Sequence, residues 1–117
     1  MQIPIKIDTH DRGLSYHLLG STTCQQGDEI IVSDEVTVTY QGTIVRKAID
    51  FPETIELMVS ILPPFSSGVA AGVLANWIYG KLKGKKIARL RVSRKEVEFD
   101  KGQIKRIIEE TIEADGD

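Results

Sequence analysis

The side chains best suited to metal or nucleophilic chemistry lie near the start of the chain. His10, His17 and Cys24 follow one another at intervals of seven residues. Zinc ligands commonly come in pairs about two to five residues apart, so this spacing is not a metal motif by itself. Cys24 would act as a nucleophile only beside a general base, and the sequence does not decide whether either histidine reaches it. We therefore assign no catalytic residue and no metal ligand.

Phosphate-binding chemistry also lacks its usual motif. A P-loop has the pattern GxxxxGK[ST] and connects a strand to a helix. Gly80, Gly84 and Lys85 are too closely spaced for this pattern, and they follow a predicted helix. The sequence thus predicts a non-enzymatic protein without a cofactor.

Positive charge is concentrated in one part of the chain. Residues 57–95 contain eight lysines and arginines and no acidic residue, whereas residues 1–56 and 96–117 each carry a net charge of −5. Such a basic segment could bind nucleic acid or an anionic surface. The candidate anion-binding residues are Lys81, Lys83, Lys85, Lys86, Arg89 and Arg91.

The two arginines have an alternative role inside the fold. Arg89 and Arg91 alternate along a predicted strand, where they could pair with Glu96 and Glu98 on the returning strand. Phe99 is the nearest aromatic residue, and its alternation directs it toward the core. We therefore favour neutralisation within the protein over nucleic-acid binding.

An uncharged segment rich in small residues is the most distinctive feature of the chain. The 24 residues 57–80 carry no formal charge, and that length could cross a bilayer. Two prolines interrupt it, however, and residues 66–86 read SSGVAAGVLANWIYGKLKGKK, with a small residue at every fourth position. Such a stripe lets another backbone come close, either within the core or between chains. The candidate interface residues are Gly68, Gly72, Asn76, Trp77, Tyr79 and Gly80.

Alternating β-branched residues predict a β-rich part over residues 1–50. The first strand covers residues 3–7, and Pro4 makes it either an edge strand or a strand with an open side at that position. LSYHLL is predicted as a short strand, and a further one is expected at residues 29–32. Residues 36–48 are predicted to form a hairpin that turns at Gln41-Gly42.

An apolar helical hairpin is predicted over residues 51–84. Asp50 and Glu53 fit a capping box for a first helix through residue 62, which the two prolines end. Ser66 or Ser67 would cap the second helix, which continues to about residue 83. Gly84 suits the position just beyond its end.

Residues 87–113 are predicted to form a β-hairpin and a final helix. The hairpin is IARLRVSRKEVEF, and Asp100 with Gln103 fits a capping box at the start of the helix. Ile104, Ile107, Ile108 and Ile112 form an apolar stripe along it. The predicted fold is therefore α+β, with residues 1–117 in one domain.

The glycine-rich helix and the elements after it resemble a known family. SSGVAAGVLANWIYGKLK followed by IARLRVSRKEVEFDKGQIKRIIEETIE resembles the effector-associated constant component modules of bacterial conflict systems. The resemblance covers about residues 53–113, and the predicted hairpin at 36–48 departs from the family pattern. It implies a small α+β adaptor that is encoded with, or fused to, NTPases, proteases and other effectors, without catalytic residues of its own.

These features lead to one expected function and two alternatives. We expect a small cytoplasmic protein-binding or adaptor module, able to form homo-oligomers; its single cysteine suits a reducing cytosol, and MQIPIKID does not resemble a signal peptide. The first alternative is a protein that binds nucleic acid or an anionic surface through residues 81–95. The second is a membrane-associated effector that inserts residues 57–80.

Overall fold

A computed structural model describes residues 1–46, 51–63 and 66–115 of the chain. The described residues form six strands in one antiparallel sheet, together with three helices. In chain order the elements are β1 Gln2–Thr9, α1 Leu14–Leu19, β2 Glu29–Ile31, β3 Val36–Ile44, β4 Glu53–Ile61, α2 Ser67–Leu82, β5 Ile87–Val92, β6 Lys95–Val97 and α3 Lys101–Asp115. The prediction of an α+β fold is confirmed.

The first strand of the chain lies in the interior of the sheet. The strand order is β2-β3-β4-β1-β5-β6, so β1 has neighbours on both sides. Ile5 lies opposite Leu57 of β4 and opposite Val92 of β5. Pro4 lies one position beyond the β5 ladder, where only its carbonyl oxygen bonds, to the backbone N–H of Ser93 at 2.8 Å. The alternative of an edge strand is therefore wrong, and Pro4 is accommodated by an open side at its own position.

One face of the sheet forms the hydrophobic core. Alternate residues of β1, β3, β4 and β5 are buried on that face, and buried residues of α2 and α3 belong to the same cluster. Fully burying one aliphatic side chain stabilises a fold by roughly 1.5–3 kcal/mol. The core residues from the two helices are Ala70, Ala71, Leu74, Ala75, Ile78, Leu82, Ile104, Ile108 and Ile112. The opposite face carries polar residues, including Lys6, Asp8, Glu56 and Arg91.

The helix predicted before the two prolines is wrong, because this segment is β4. Ile55, Leu57, Val59 and Ile61 are buried and alternate with residues of the polar face. β4 pairs with β1 on one side and with β3 on the other, so its alternating apolar residues belong to a central strand of the sheet. The predicted helical hairpin over residues 51–84 thus becomes a strand followed by α2. Asp50, its predicted cap, lies outside the described residues.

Two predictions in the first third of the chain are also wrong. LSYHLL forms α1, with Leu14 and Leu18 buried at helical spacing. The predicted hairpin at 36–48 is instead one strand, β3, which continues to Ile44. Gln41-Gly42 forms a bulge in its pairing with β4, and Gly42 adopts a φ of 127°, which suits glycine. β3 pairs antiparallel with β2 on one side and with β4 on the other.

The later elements agree with their predictions, apart from one cap. α2, α3 and the β5–β6 hairpin form as expected. The Asp100 side chain accepts a hydrogen bond from the backbone N–H of Gln103 at 3.0 Å, and Gly84 follows α2 with a φ of 80°. Ser66 occupies the N-cap position of α2 but makes no capping hydrogen bond with its side chain. Among the described residues, no helix is long and apolar enough to cross a membrane.

Candidate binding site at the edge of β5

The outer half of β5 has no neighbouring strand on its far side. β6 contains only three residues, and its pairing with β5 begins at Leu90 opposite Val97. β5 starts three residues earlier, at Ile87, and the sheet ends at β6 in the described part of the chain. Ile87 and Arg89 pair with Thr9 and Asp8 of β1 around a bulge at Ala88, and residues 87–89 present an open strand edge on the other side. We call them the free edge of β5.

A groove of about 490 Å³ runs along this free edge. Its far wall is formed by residues 96–99, and Phe99 belongs to an aromatic pair. The rings of Phe99 and Tyr79 stack with centroids 5.1 Å apart and planes 16° from parallel. Lys83 Nζ lies 5.9 Å from the centroid of the Tyr79 ring, a favourable cation–π position. The prediction that Phe99 points into the core is wrong, since it is 38% exposed.

Beside the free edge, Asp8 organises a cluster on the polar face of the sheet. Asp8 is only 8% exposed, and its carboxylate accepts a hydrogen bond from Thr54 Oγ1 at 2.7 Å. Arg91 Nη2 donates to both of its oxygens, at 3.1 and 3.3 Å. Strand register places Asp8 opposite Thr54 on β4 and opposite Arg89 on β5, and Arg91, the partner of Lys6, reaches Asp8 diagonally on the same face. A charge in this position is stable because a cation and a hydroxyl satisfy it.

A second cavity, of about 290 Å³, adjoins the groove. Arg46 enters it from the end of β3, and Phe51, 60% exposed, lines it from the start of β4. Arg46 Nη1 donates to Pro52 O and to Thr54 Oγ1, both at 3.0 Å. Ala88 and Arg89 line both the cavity and the groove. The two recesses therefore form one continuous surface across the free edge.

Of the six predicted anion-binding residues, the two arginines lie in this cluster. Arg89 Nε is 2.7 Å from Glu96 Oε1 and 4.0 Å from Asp8 Oδ2, so its predicted pairing with Glu96 is confirmed. Arg91 pairs with Asp8 rather than with Glu98. Its Nε atom is buried and has no hydrogen-bond partner among the described residues.

The four predicted lysines occupy the end of α2 and the turn that precedes β5. Lys81 and Lys85 are partly buried, whereas Lys83 and Lys86 are exposed. The carbonyl oxygen of Lys86 accepts hydrogen bonds from His10 N at 3.1 Å and from Thr9 Oγ1 at 2.8 Å. These bonds attach the turn to the end of β1, beside the free edge.

Asp8 and Arg46 were not among the candidate site residues predicted from the sequence. Asp8 ends the alternating pattern of β1, and a charged residue at that place is normally read as the start of a turn. Arg46 follows β3, which had been predicted as part of a hairpin. The sequence did contain one indication of the role of Asp8. It is an even-numbered residue of the alternating strand, like Lys6, and so lies on the polar face.

Within residues 1–46, 51–63 and 66–115, no other backbone comes close to the glycines of α2. A Cβ atom built on Gly68 would lie 3.6 Å from Glu109 Oε1, and one built on Gly72 would lie 3.8 Å from Lys105 Cε. Gly68 and Gly72 thus lie beneath charged side chains of α3. The expectation that a backbone packs against this stripe within the chain is wrong.

The remaining candidate interface residues are distributed around α2. Asn76 and Gly80 are exposed, and a Cβ on Gly80 would meet no atom within 4 Å. Trp77 is partly buried against the core, and Tyr79 stacks on Phe99. An interface between chains on this side of α2 stays a prediction.

The histidines and the cysteine do not form a metal site in the described residues. No three side chains among His, Cys, Asp and Glu come together there in a way that could hold a metal ion. Cys24 lies near Tyr40, whose hydroxyl hydrogen-bonds Thr43 Oγ1. Burial raises the pKa of Tyr40 above its ordinary value of 10.0, with a smaller contribution from Cys24.

The site is equipped for binding. The free edge offers backbone donors and acceptors, the aromatic side chains offer apolar surface, and the guanidinium groups offer paired donors for oxyanions. No protein-family model matches the chain, and no curated protein or solved structure is significantly similar to it. The resemblance to the effector-associated constant component modules therefore stays a prediction.

Proposed function

We propose that this protein is a non-enzymatic binding module that receives an extended segment of a partner protein along the free edge of β5. The main support for this proposal is that β6 leaves Ile87–Arg89 unpaired on the outer side. An extended segment placed there would continue the antiparallel sheet by backbone hydrogen bonds. The groove beside the edge has room for its side chains.

The side chains around the edge favour an acidic partner segment. Arg89 is exposed at the edge itself, Lys86 is exposed just before it, and Arg46 lines the adjoining cavity. Phe51 and Phe99, one in each recess, supply apolar contact surface. Aromatic and arginine side chains are the types that contribute most to binding at protein interfaces.

The same charges disfavour self-association through this edge. Antiparallel pairing of β5 with β5 of a second copy would bring the Arg89 side chains of both copies into one short ladder. Like charges that face each other across a ladder destabilise the pairing. We therefore assign the edge to a different protein. The adaptor role, the link to bacterial conflict systems and the cytoplasmic location belong to this proposal.

A pair of blocked peptides tests the proposal by NMR. One alternates glutamate with valine, and the control peptide alternates lysine with valine. We expect the glutamate peptide to shift the backbone amide signals of Ile87–Arg89 in a saturable way, and the lysine peptide to leave them unchanged. Absence of edge shifts at millimolar peptide, or equal binding of both peptides, would contradict the proposal.

Two charge reversals serve as test and control. Arg89→Glu is expected to weaken binding of the glutamate peptide by about tenfold, since it replaces attraction by repulsion at the edge. Arg94→Glu makes the same change in net charge, but Arg94 lies in the β5–β6 turn, outside the groove. Its effect should be small. Equal effects of the two reversals would assign the binding to overall charge.

A further inference from the structure

Two arginine side chains line the cavity beside Phe51, and both retain unused donors. A guanidinium group carries five N–H donors. Among the described residues, Arg46 donates from Nη1 alone, to Pro52 O and Thr54 Oγ1. The ion pairs of Arg89 involve its Nε atom. No described residue bonds the Nη2 group of Arg46 or either Nη group of Arg89, so within that part of the chain these donors are open to a ligand.

The Asp8 carboxylate at this place does not neutralise the cluster. It is bound by Thr54 and by Arg91 from β5. Counting Arg46, Arg89 and Arg91 against Asp8 and Glu96 leaves one positive charge. Arg89 is paired with Glu96 and Arg91 with Asp8, so the excess charge lies on Arg46, which bonds only Pro52 O and Thr54 Oγ1 among the described residues.

We infer that the cavity lined by Arg46, Arg89 and Phe51, and by the carboxylate of Asp8 that Thr54 and Arg91 already bind, is an oxyanion site that binds a carboxylate or phosphate group. Paired guanidinium donors match the oxygen spacing of both groups, and arginine binds them in a bidentate way. Phe51 and Pro52 form an apolar wall that partly shields the bound anion from water. This site goes beyond the proposed function, because it needs no strand at the free edge of β5.

Glu96 provides an internal test of the inference. Its carboxylate is 2.7 Å from Arg89 Nε and competes with any added anion for that guanidinium group. Removal of the charge by Glu96→Gln is therefore expected to tighten anion binding by about two- to fivefold, the range for an exposed ion pair. Glu98→Gln makes the same change in net charge at an exposed neighbour.

The experiment titrates the full chain with inorganic phosphate, and separately with acetate, at constant ionic strength set by sodium chloride. The readout is the NMR signals of the arginine Nε–H groups. We expect saturable shifts of Arg46 and Arg89 with both anions, at a lower concentration for phosphate because of its larger charge. A response to one anion alone would restrict the site to that chemistry and overturn the broader assignment.

The variants separate a site from general electrostatic attraction. Arg46→Gln should reduce affinity at least about threefold while the backbone amide spectrum stays folded. Glu96→Gln should tighten binding, and Glu98→Gln should leave it nearly unchanged. No saturable shift, an unchanged affinity in Arg46→Gln, or equal gains in the two glutamate variants would overturn the inference. Should Arg46→Gln fail to fold, the comparison of Glu96→Gln with Glu98→Gln still decides.

The titration contains no peptide, so it fails or succeeds independently of the proposed strand binding. A positive anion titration with no peptide binding would retain the oxyanion site and reject the strand-binding proposal. Peptide binding at the edge without an anion response would retain the strand-binding proposal and reject the oxyanion site.

Discussion

At the scale of single residues, Asp8 connects three strands. It lies on β1 and accepts hydrogen bonds from Thr54 on β4 and from Arg91 on β5. Arg46, at the end of β3, reaches the same group through Thr54 Oγ1. The carboxylate is nearly buried, so the loss of its charge would leave Arg91 without an ionic partner in a partly buried position.

We therefore predict that Asp8→Asn destabilises the protein although it keeps the shape of the side chain. The expected loss is about 1.5–3 kcal/mol of unfolding free energy, the range for hydrogen bonds to charged groups. Urea unfolding monitored by Trp77 fluorescence measures it. Asp34→Asn is the control, because Asp34 is exposed. A loss no larger than that of the control would show that the Asp8 cluster adds little stability.

At the scale of elements, α2 is a helix whose small residues serve two different neighbours. Ala71 and Ala75 are buried in the core beneath it. Gly68 and Gly72 lie under the long charged side chains of α3. A glycine inside a helix costs about 1 kcal/mol relative to alanine. For Gly72 that cost is not offset by close packing within the chain, because its nearest neighbour is the flexible end of Lys105.

Gly72→Ala is consequently predicted to stabilise the monomer by about 0.5–1 kcal/mol. The added Cβ would lie at ordinary contact distance from Lys105. Thermal or urea unfolding measures the change. Gly84→Ala is the matched opposite, since a φ of 80° strains alanine and should lower stability.

Light scattering on the same variant tests the candidate interface of α2. If Gly72 lies between chains, Gly72→Ala should lower the oligomer mass while the monomer becomes more stable. If Gly72→Ala is less stable than wild type at every concentration, the packing described for α2 is incorrect.

At the scale of the whole molecule, charge is unevenly distributed along the chain but partly balanced in space. The basic residues 57–95 include β5, and β5 pairs with β1 from the acidic first part of the chain. Asp8 and Glu96 each pair with an arginine of β5. The positive charge left for an outside partner is therefore smaller than the sequence suggests.

This balance predicts weak, salt-sensitive binding to nucleic acid. A labelled DNA duplex, followed by fluorescence anisotropy, should bind at low salt and be released before about 150 mM salt. The log–log salt slope reports about −0.9 for each phosphate neutralised, and we expect two phosphates or fewer. Lys85→Glu with Lys86→Glu should abolish the residual binding. Tight binding at physiological salt would instead favour the nucleic-acid alternative.

The elements predicted correctly from the sequence are those stabilised mostly by interactions between residues near each other in the chain. α3 begins with the capping residue Asp100 and has an apolar stripe that ends at Ile112. The β5–β6 hairpin shows alternating apolar and polar residues over a short segment. α2 fills the segment between the two prolines and Gly84, which is long enough for a helix. Each of these patterns involves residues close together in the chain, so its physical cause is visible there. Arg89 and Arg91 could be recognised as candidate anion-binding residues for the same reason, because they alternate within one short segment.

The strand conformation of β4 and the position of the binding surface depend on contacts between distant parts of the chain and could not be predicted from local patterns. ETIELMVSI can alternate as a strand, but its apolar residues also fit a helix; pairing with β1 and β3, both distant along the chain, selects the strand. Likewise Asp8 and Arg91 are 83 residues apart and meet because β1 lies beside β5. The free edge of β5 exists because β6 stops after three residues. Non-local strand pairing is decided by the packing of the whole sheet, which local residue patterns do not encode.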